Sequence, residues 1–337
     1  MTIFLGVDDG HNTTNLVASN GTRICIPSRA TNGEKIKINI SGESSNKTCV
    51  YECGKGNVFT LGDIENSLPT NINEYPISDL NRSIVFYALH VAGIDVLNED
   101  IVITTGLPFK HYYKNKKPNE KLITAKINNL MPINGDPQIK SKNGFPIPHI
   151  KSHMVLPEGV AAWFNFAMDI NEDGKVVPNK EFLEKKIAIV DIGGRTTDIV
   201  VVQNFDTDSE YGATIDVGML NVHEVIREAV IDEYDVRLSN EEIDRAVNDN
   251  VVKMYGEMVD IRGIVEQAKL QVIGEINNEV KKKLGNGSIF DKIIFVGGGA
   301  SVFEKYLKEW FPRNGMIAEN PIFANAEGML KCSLNSV

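Results

Sequence analysis

Two apolar strands in this chain run straight into an acidic, glycine-rich turn. The first reads Val7-Asp8-Asp9-Gly10-His11-Asn12-Thr13-Thr14 and the second Val190-Asp191-Ile192-Gly193-Gly194-Arg195-Thr196-Thr197-Asp198. A third turn, Val296-Gly297-Gly298-Gly299-Ala300, passes from a strand into a helix. Glycine lets backbone N–H groups approach a phosphate without an intervening Cβ, and a carboxylate at a strand end can hold a metal ion through its water shell. One such turn alone reads as a simple hairpin. Three in order imply a nucleotide clasped between two halves.

The apolar runs at residues 3–7 and 16–18 predict a hairpin with residues 8–14 at its tip, and those at 187–190 and 199–202 repeat the plan. This repeat is architectural and argues for two related halves. Helical spacing of Leu80, Ile84, Tyr87, Ala88 and Val91 predicts a helix over 79–92, followed by a strand over 100–105. A helix is expected to start at Pro157-Glu158 and to run through Val160, Ala161, Phe164 and Met168. Further helices are expected over 222–234, 240–248, 261–284 and 300–310, and a strand over 293–296. Strands alternating with helices give an α/β chain.

A chain of 337 residues is too long for one small core. The polar run at residues 171–175 marks the expected boundary, giving a first domain over 1–170 and a second over 171–320. The first carries a small insertion at about 22–62 and is completed by 321–337. No apolar run is long enough to cross a bilayer, and the early Asp8 interrupts any signal-peptide core, so a cytoplasmic protein without a membrane partner is expected. With 35 Lys and Arg against 45 Asp and Glu, the net charge of -10 repels polyanions and argues against direct nucleic-acid binding. Cys49 and Cys53 lack a second Cys or His pair at zinc spacing and read as incidental thiols.

These turns resemble the phosphate and adenosine loops of the actin and heat-shock-chaperone ATPase superfamily, the second turn most specifically. Within it, Leu107-Pro108, the paired Tyr112-Tyr113, Pro118-Asn119 and the doubled Asp8-Asp9 resemble the ParM/StbA plasmid-segregation actins. The likeness consists of islands spread from residue 3 to about 330. It implies a two-domain actin-like (ribonuclease-H-like) fold with nucleotide in the interdomain cleft. It also implies hydrolysis of ATP or GTP with Mg²⁺, self-assembly into filaments, and segregation of plasmid DNA. A separate ParR-like DNA-binding adaptor would join the filament to the centromeric site.

Carried over by position, Asp8 and Asp191 would hold hydrated Mg²⁺, and Glu158 would orient the attacking water. Asp9, Gly10, His11, Asn12 and Thr13 would contact phosphate from one side. Gly193, Gly194, Arg195 and Thr196 would do so from the other. Gly297, Gly298 and Gly299 would approach the nucleoside, with Glu266 and Lys269 reaching ribose or base. One departure stands out: many relatives carry Lys near the end of the first loop, where this chain has Asn15, and Ser where it has His11. Arg195 is a candidate for making up the missing charge. A small-molecule kinase of the same fold, a chaperone-type ATPase, a membrane-attached cell-shape actin and a non-segregating bacterial or phage actin filament are the rival readings.

Overall fold

The computed structural model describes residues 2–35, 48–54, 56–96, 99–208 and 210–335. Part of the expected insertion, residues 36–47, and the final residues 336–337 lie outside the described residues.

Two mixed sheets carry the molecule, and each is built on one of the two hairpins. In the first, strand Thr2–Asp9 pairs antiparallel with Thr13–Ala18, which pairs with Arg23–Pro27 at the edge. On its other side Thr2–Asp9 lies parallel to Asp100–Leu107, which lies parallel to Ile150–Pro157. In the second sheet Ile187–Ile192 pairs antiparallel with Thr197–Gln203, and parallel with Lys292–Val296 and, through it, Gly315–Ile317. A hairpin flanked by parallel strands thus occurs twice, and the inner parallel strands Asp100–Leu107 and Lys292–Val296 are buried almost throughout because both faces are covered. This is the two-domain α/β fold expected from the sequence.

The register sharpens the loop boundaries. Asp9 pairs with Thr14 and Ile192 with Thr197, so the tips shrink to residues 10–13 and 193–196. Of the expected insertion, Arg23–Pro27 belongs to the first sheet, while Thr48–Cys53 and Asn57–Gly62 join Ile139–Ser141 in a separate small sheet.

The helix expected from Pro157 starts later. Pro157 still pairs with Leu107, and the Glu158 N–H donates to the Leu107 carbonyl at 2.9 Å. Gly159, at φ +75°, then breaks the chain direction, so that helix Val160–Ala167 begins only after it. Met168, expected inside that helix, opens strand Met168–Ile170 instead. The polar run at 171–175 is the tip of the hairpin between this strand and Val176–Pro178, with the Asn171 N–H donating to the Lys175 carbonyl. Helices Met219–Tyr234, Asn240–Asp249 and Arg262–Leu284 follow as expected, but Val251–Met254 and Glu257–Asp260 insert a hairpin the pattern did not announce.

Apolar clusters fill each half, and another forms the seam between them. There Phe109, Ala162 and Trp163 from the first half pack on Ile187, Val200 and Ile294 of the second sheet. The C-terminal helix Ala324–Asn335 returns to the first half, lying on strand Thr2–Asp9 and helix Val160–Ala167. The contact is close: a Cβ on Gly6 would stand 1.9 Å from the Ala326 carbonyl oxygen, and one on Gly328 1.7 Å from that of Ala161.

Candidate active site

A cavity of about 400 Å³ lies where the two hairpin tips face each other, a size suited to a small-molecule ligand. The tips touch, since a Cβ on Gly194 would fall 2.7 Å from the Asn12 Cβ. The second tip is held from behind by helix Met219–Tyr234, whose Met219 and Leu220 N–H groups donate to the Gly193 and Gly194 carbonyls at 3.0 and 2.7 Å. Gly218 permits this, because a Cβ there would lie 2.7 Å from both carbonyl oxygens.

All the residues expected to touch phosphate line this cavity: Asp8, Asp9 and Gly10 to Thr13 from one wall, Gly193 to Thr196 from the other. Asp191 and Glu158 line it too. Glu158 reaches in because Gly106 makes room, its missing Cβ position lying 2.9 Å from the Glu158 Cγ. At the third turn the glycines divide. Gly297, at φ +84°, and Gly298 line the cavity, and a Cβ on Gly297 would meet Asp191 Oδ1 at 2.4 Å. Gly299 does not line it; it presses on Ile192, where a Cβ would come within 2.2 Å of Cγ2. Its absent side chain serves helix packing.

Glu266 and Lys269 are likewise not among the lining residues. Glu266 pairs with Lys305 and lies 3.8 Å from Lys269, whose Nζ donates to the Val247 carbonyl at 3.1 Å. Both are spent on pinning neighbouring helices, with Asp244, Val247 and Asn248 forming the cavity wall beside them.

The carboxylates crowd together, Asp191 and Asp198 buried and Asp8 and Glu158 half-buried at the cavity wall. Burial, then Asp191 and Asp9, pushes the Asp8 carboxyl up to about 8. Burial raises Asp191 to about 6 against the opposing hydrogen bond from Asn325. Burial raises Asp198 to about 7, opposed by its bond from Thr214 and reinforced by Asp191. Glu158 is raised well above the usual carboxylate range by burial, then by Asp8, Asp198, Asp191 and Asp9. A site whose acids resist ionising in this way favours a cation among them. His11 is instead kept neutral, its pKa lowered by burial to about 4, and its Nδ1 lies 2.5 Å from the Thr70 carbonyl oxygen.

Lys126 and Asn325, which the sequence pattern did not single out, line the cavity, and Arg29 and Arg195 brace the two halves beside it. Lys126, 1% exposed, reaches from helix Glu120–Leu130 to Asp9, which also accepts from Asn81 Nδ2 at 2.6 Å. Asn325, on the C-terminal helix, bonds Asp191. Arg29 joins Asn12 at 2.8 Å to Asp244 at 3.2 Å, bridging the first half to helix Asn240–Asp249. Arg195 reaches back the other way, donating to Asn73 Oδ1 at 2.7 Å. The one available signal was a polar residue among the apolar positions of an amphipathic helix, as at Lys126 and Asn325.

Among the described residues, no helix is long and apolar enough to cross a membrane. No curated protein matches the chain in a sequence search. Solved structures do. A ParM from Clostridium botulinum, seen in a 15-stranded filament, is 22% identical with a TM-score of 0.76, covering 98% of this chain and 99% of that one. The archaeal actin homologue Ta0583 in complex with ADP is 19% identical with a TM-score of 0.74, covering 99% of each. Likenesses at this identity show the fold. The family model of archaeal MreB-like actin homologues, C-terminal, matches residues 189–309, and that of the plasmid segregation protein ParM, N-terminal, matches residues 1–169. With half of its length so matched, the chain belongs to the ParM/StbA family of actin homologues.

Proposed function

We propose that this chain is a nucleoside triphosphatase that polymerises into filaments and segregates plasmid DNA through a separate DNA-binding adaptor. The observation that carries the reading is the meeting of two glycine-lined tips over a floor containing Asp8, Asp191 and Glu158. In this reading residues 1–170, completed by 321–337, form one domain and 171–320 the other.

Backbone N–H groups of both tips bind the phosphates, and Arg195 supplies the positive charge that Asn15 in the first loop does not. Asp8 and Asp191 form an open pair of carboxylates, a donor set that fits a divalent ion retaining most of its water shell. Bound there, Mg²⁺ would neutralise charge on the phosphates. Glu158, beside Asp8, orients a water by hydrogen bonding, and phosphoryl transfer needs positioning of this kind more than covalent help. Gly297 and Gly298 receive the nucleoside against Asp244 and Val247. A ligand touching both tips stabilises the closed arrangement of the halves, the shape that would assemble.

ADP in the archaeal neighbour supports the nucleotide assignment, and the Clostridium filament supports self-association. The net charge of -10 supports an adaptor rather than direct contact with DNA. The test is sedimentation and phosphate release with ATP, GTP, ADP and a non-hydrolysable analogue, comparing wild type with Glu158→Gln. Triphosphate-dependent pelleting is expected, with phosphate release by the variant reduced by about 10²-fold or more and its polymer longer-lived. Absence of pelleting with every triphosphate over a broad protein range would rule out the filament. Turnover stimulated by a small hydroxylated acceptor, without pelleting, would point to a kinase.

A further inference from the structure

Asn325 sits on the first turn of the C-terminal helix and is 3% exposed. Its Nδ2 donates to Asp191 Oδ2 at 2.5 Å. Its Oδ1 accepts from the N–H groups of Gly159 and Ala162 at 3.1 and 3.2 Å. Chemistry fixes this amide's orientation: two N–H groups require an acceptor on one side, and a carboxylate requires a donor on the other. At this length only asparagine offers both in one plane. The helix that carries it has no slack, since backbone contacts at Gly6 and Gly328 leave no space for even a Cβ.

The geometry points to Asn325 as a positioning residue that ties the turn presenting Glu158 to the carboxylate of Asp191, so that both sides of the cleft meet the reacting phosphate in one register. The inference rests on the hydrolysis reading above. Reactive groups must be held to within about 0.5 Å, and a misplacement of about 1 Å can cost about 10²-fold in rate. Asp191 belongs to the second sheet and the Glu158 turn to the first; Gly159 also packs on Val200 of the second sheet, and Asn325 adds the polar tie that reaches Asp191 itself.

The test compares full-length wild type with Asn325→Asp and Asn325→Leu. Asn325→Asp keeps the shape and the acceptor but sets a carboxylate against Asp191; Asn325→Leu removes both bonds. Measured are kcat and KM for Mg-ATP, the Kd of a fluorescent ADP, melting without nucleotide, and protease protection by a non-hydrolysable triphosphate. The expected result is a kcat at least about tenfold lower, with KM and Kd within about threefold of wild type. Both variants should also be protected from protease by the analogue as wild type is, since both tips are intact. A lowered melting temperature with kcat of the folded fraction unchanged overturns the inference. Should Asn325→Asp fail to fold, Asn325→Ser, which keeps an acceptor and leaves space for a water, carries the same measurements. If wild type hydrolyses no triphosphate, the hydrolysis reading falls and takes this inference with it. Normal wild-type turnover with unaffected variants removes the inference alone.

Discussion

The two hairpins share a backbone plan and differ in how they tolerate their acids. Across the first, Asp8 faces Asn15; at the equivalent place in the second, Asp191 faces Asp198. The residue after Asp8 is another acid, Asp9, and the structure answers it with a buried ammonium from Lys126 and an amide from Asn81. After Asp191 comes Ile192, and the second hairpin answers its facing acids with neutral groups only. Asn325 bonds Asp191, while the Phe109 N–H and the Thr214 and Thr196 hydroxyls bond Asp198. Like charges opposed across a ladder are unfavourable. The first hairpin therefore meets its extra acid, Asp9, with a charge from the polypeptide, and the second meets Asp198 with neutral groups alone, while Asp8 and Asp191, one from each hairpin, both stay raised by burial.

The contrast breaks most visibly at Lys126. Lys126→Met strands a buried carboxylate and should cost about 3–5 kcal/mol in denaturant unfolding, with Asp9→Asn in the same chain recovering most of it. Asp198→Asn, which relieves a like-charge pair, should change stability by less than about 1 kcal/mol. If the two cost the same, the two halves are not balanced differently. Within the second hairpin the roles should also separate. Asp191→Asn, like Asp8→Asn, should lower phosphate release by about 10²-fold or more, and Asp198→Asn by only a few-fold.

Acid sharpens the picture of the first half. His153 is buried between Thr105 and the Ile127 carbonyl, and burial lowers its pKa from 6.5 to about 3. The unfolded chain therefore takes the proton first as pH falls, and this residue's contribution is lost from about pH 6.5 down to about pH 3. The raised carboxylates work in the opposite sense, so the comparison must be with a variant. His153→Gln should lose about 2–3 kcal/mol less than wild type between pH 6.5 and pH 4.5, read from urea midpoints. The smallest effect expected separates two neighbouring glycines. Gly299→Ala should cost about 1–3 kcal/mol through its collision with Ile192, whereas Gly298→Ala, with open space around it, should leave the nucleotide-free protein within about 0.5 kcal/mol.

The tips and their strands were legible because turn chemistry is local: glycines, acids and apolar runs announce themselves within a dozen residues. What escaped depends on packing. Whether Pro157-Glu158 opens a helix or ends a strand is decided by the pairing of Pro157 with Leu107. Gly299 and Gly298 look alike in sequence, and only Ile192 distinguishes them. Glu266 and Lys269 carry the right chemistry on the right helix, yet Lys305 and the Val247 carbonyl claim them. Lys126 and Asn325 are single polar residues whose importance comes from what lies opposite them in space.

The seating of the last helix on the first strand has a genetic consequence. Gly6 meets backbone atoms of Ala326 and Leu330, so no smaller side chain on the last helix can make room for a lesion at the far end of the gene. A screen for restored folding in a Gly6→Ala background should therefore return mainly true revertants at codon 6 rather than second-site changes at codons 326–330.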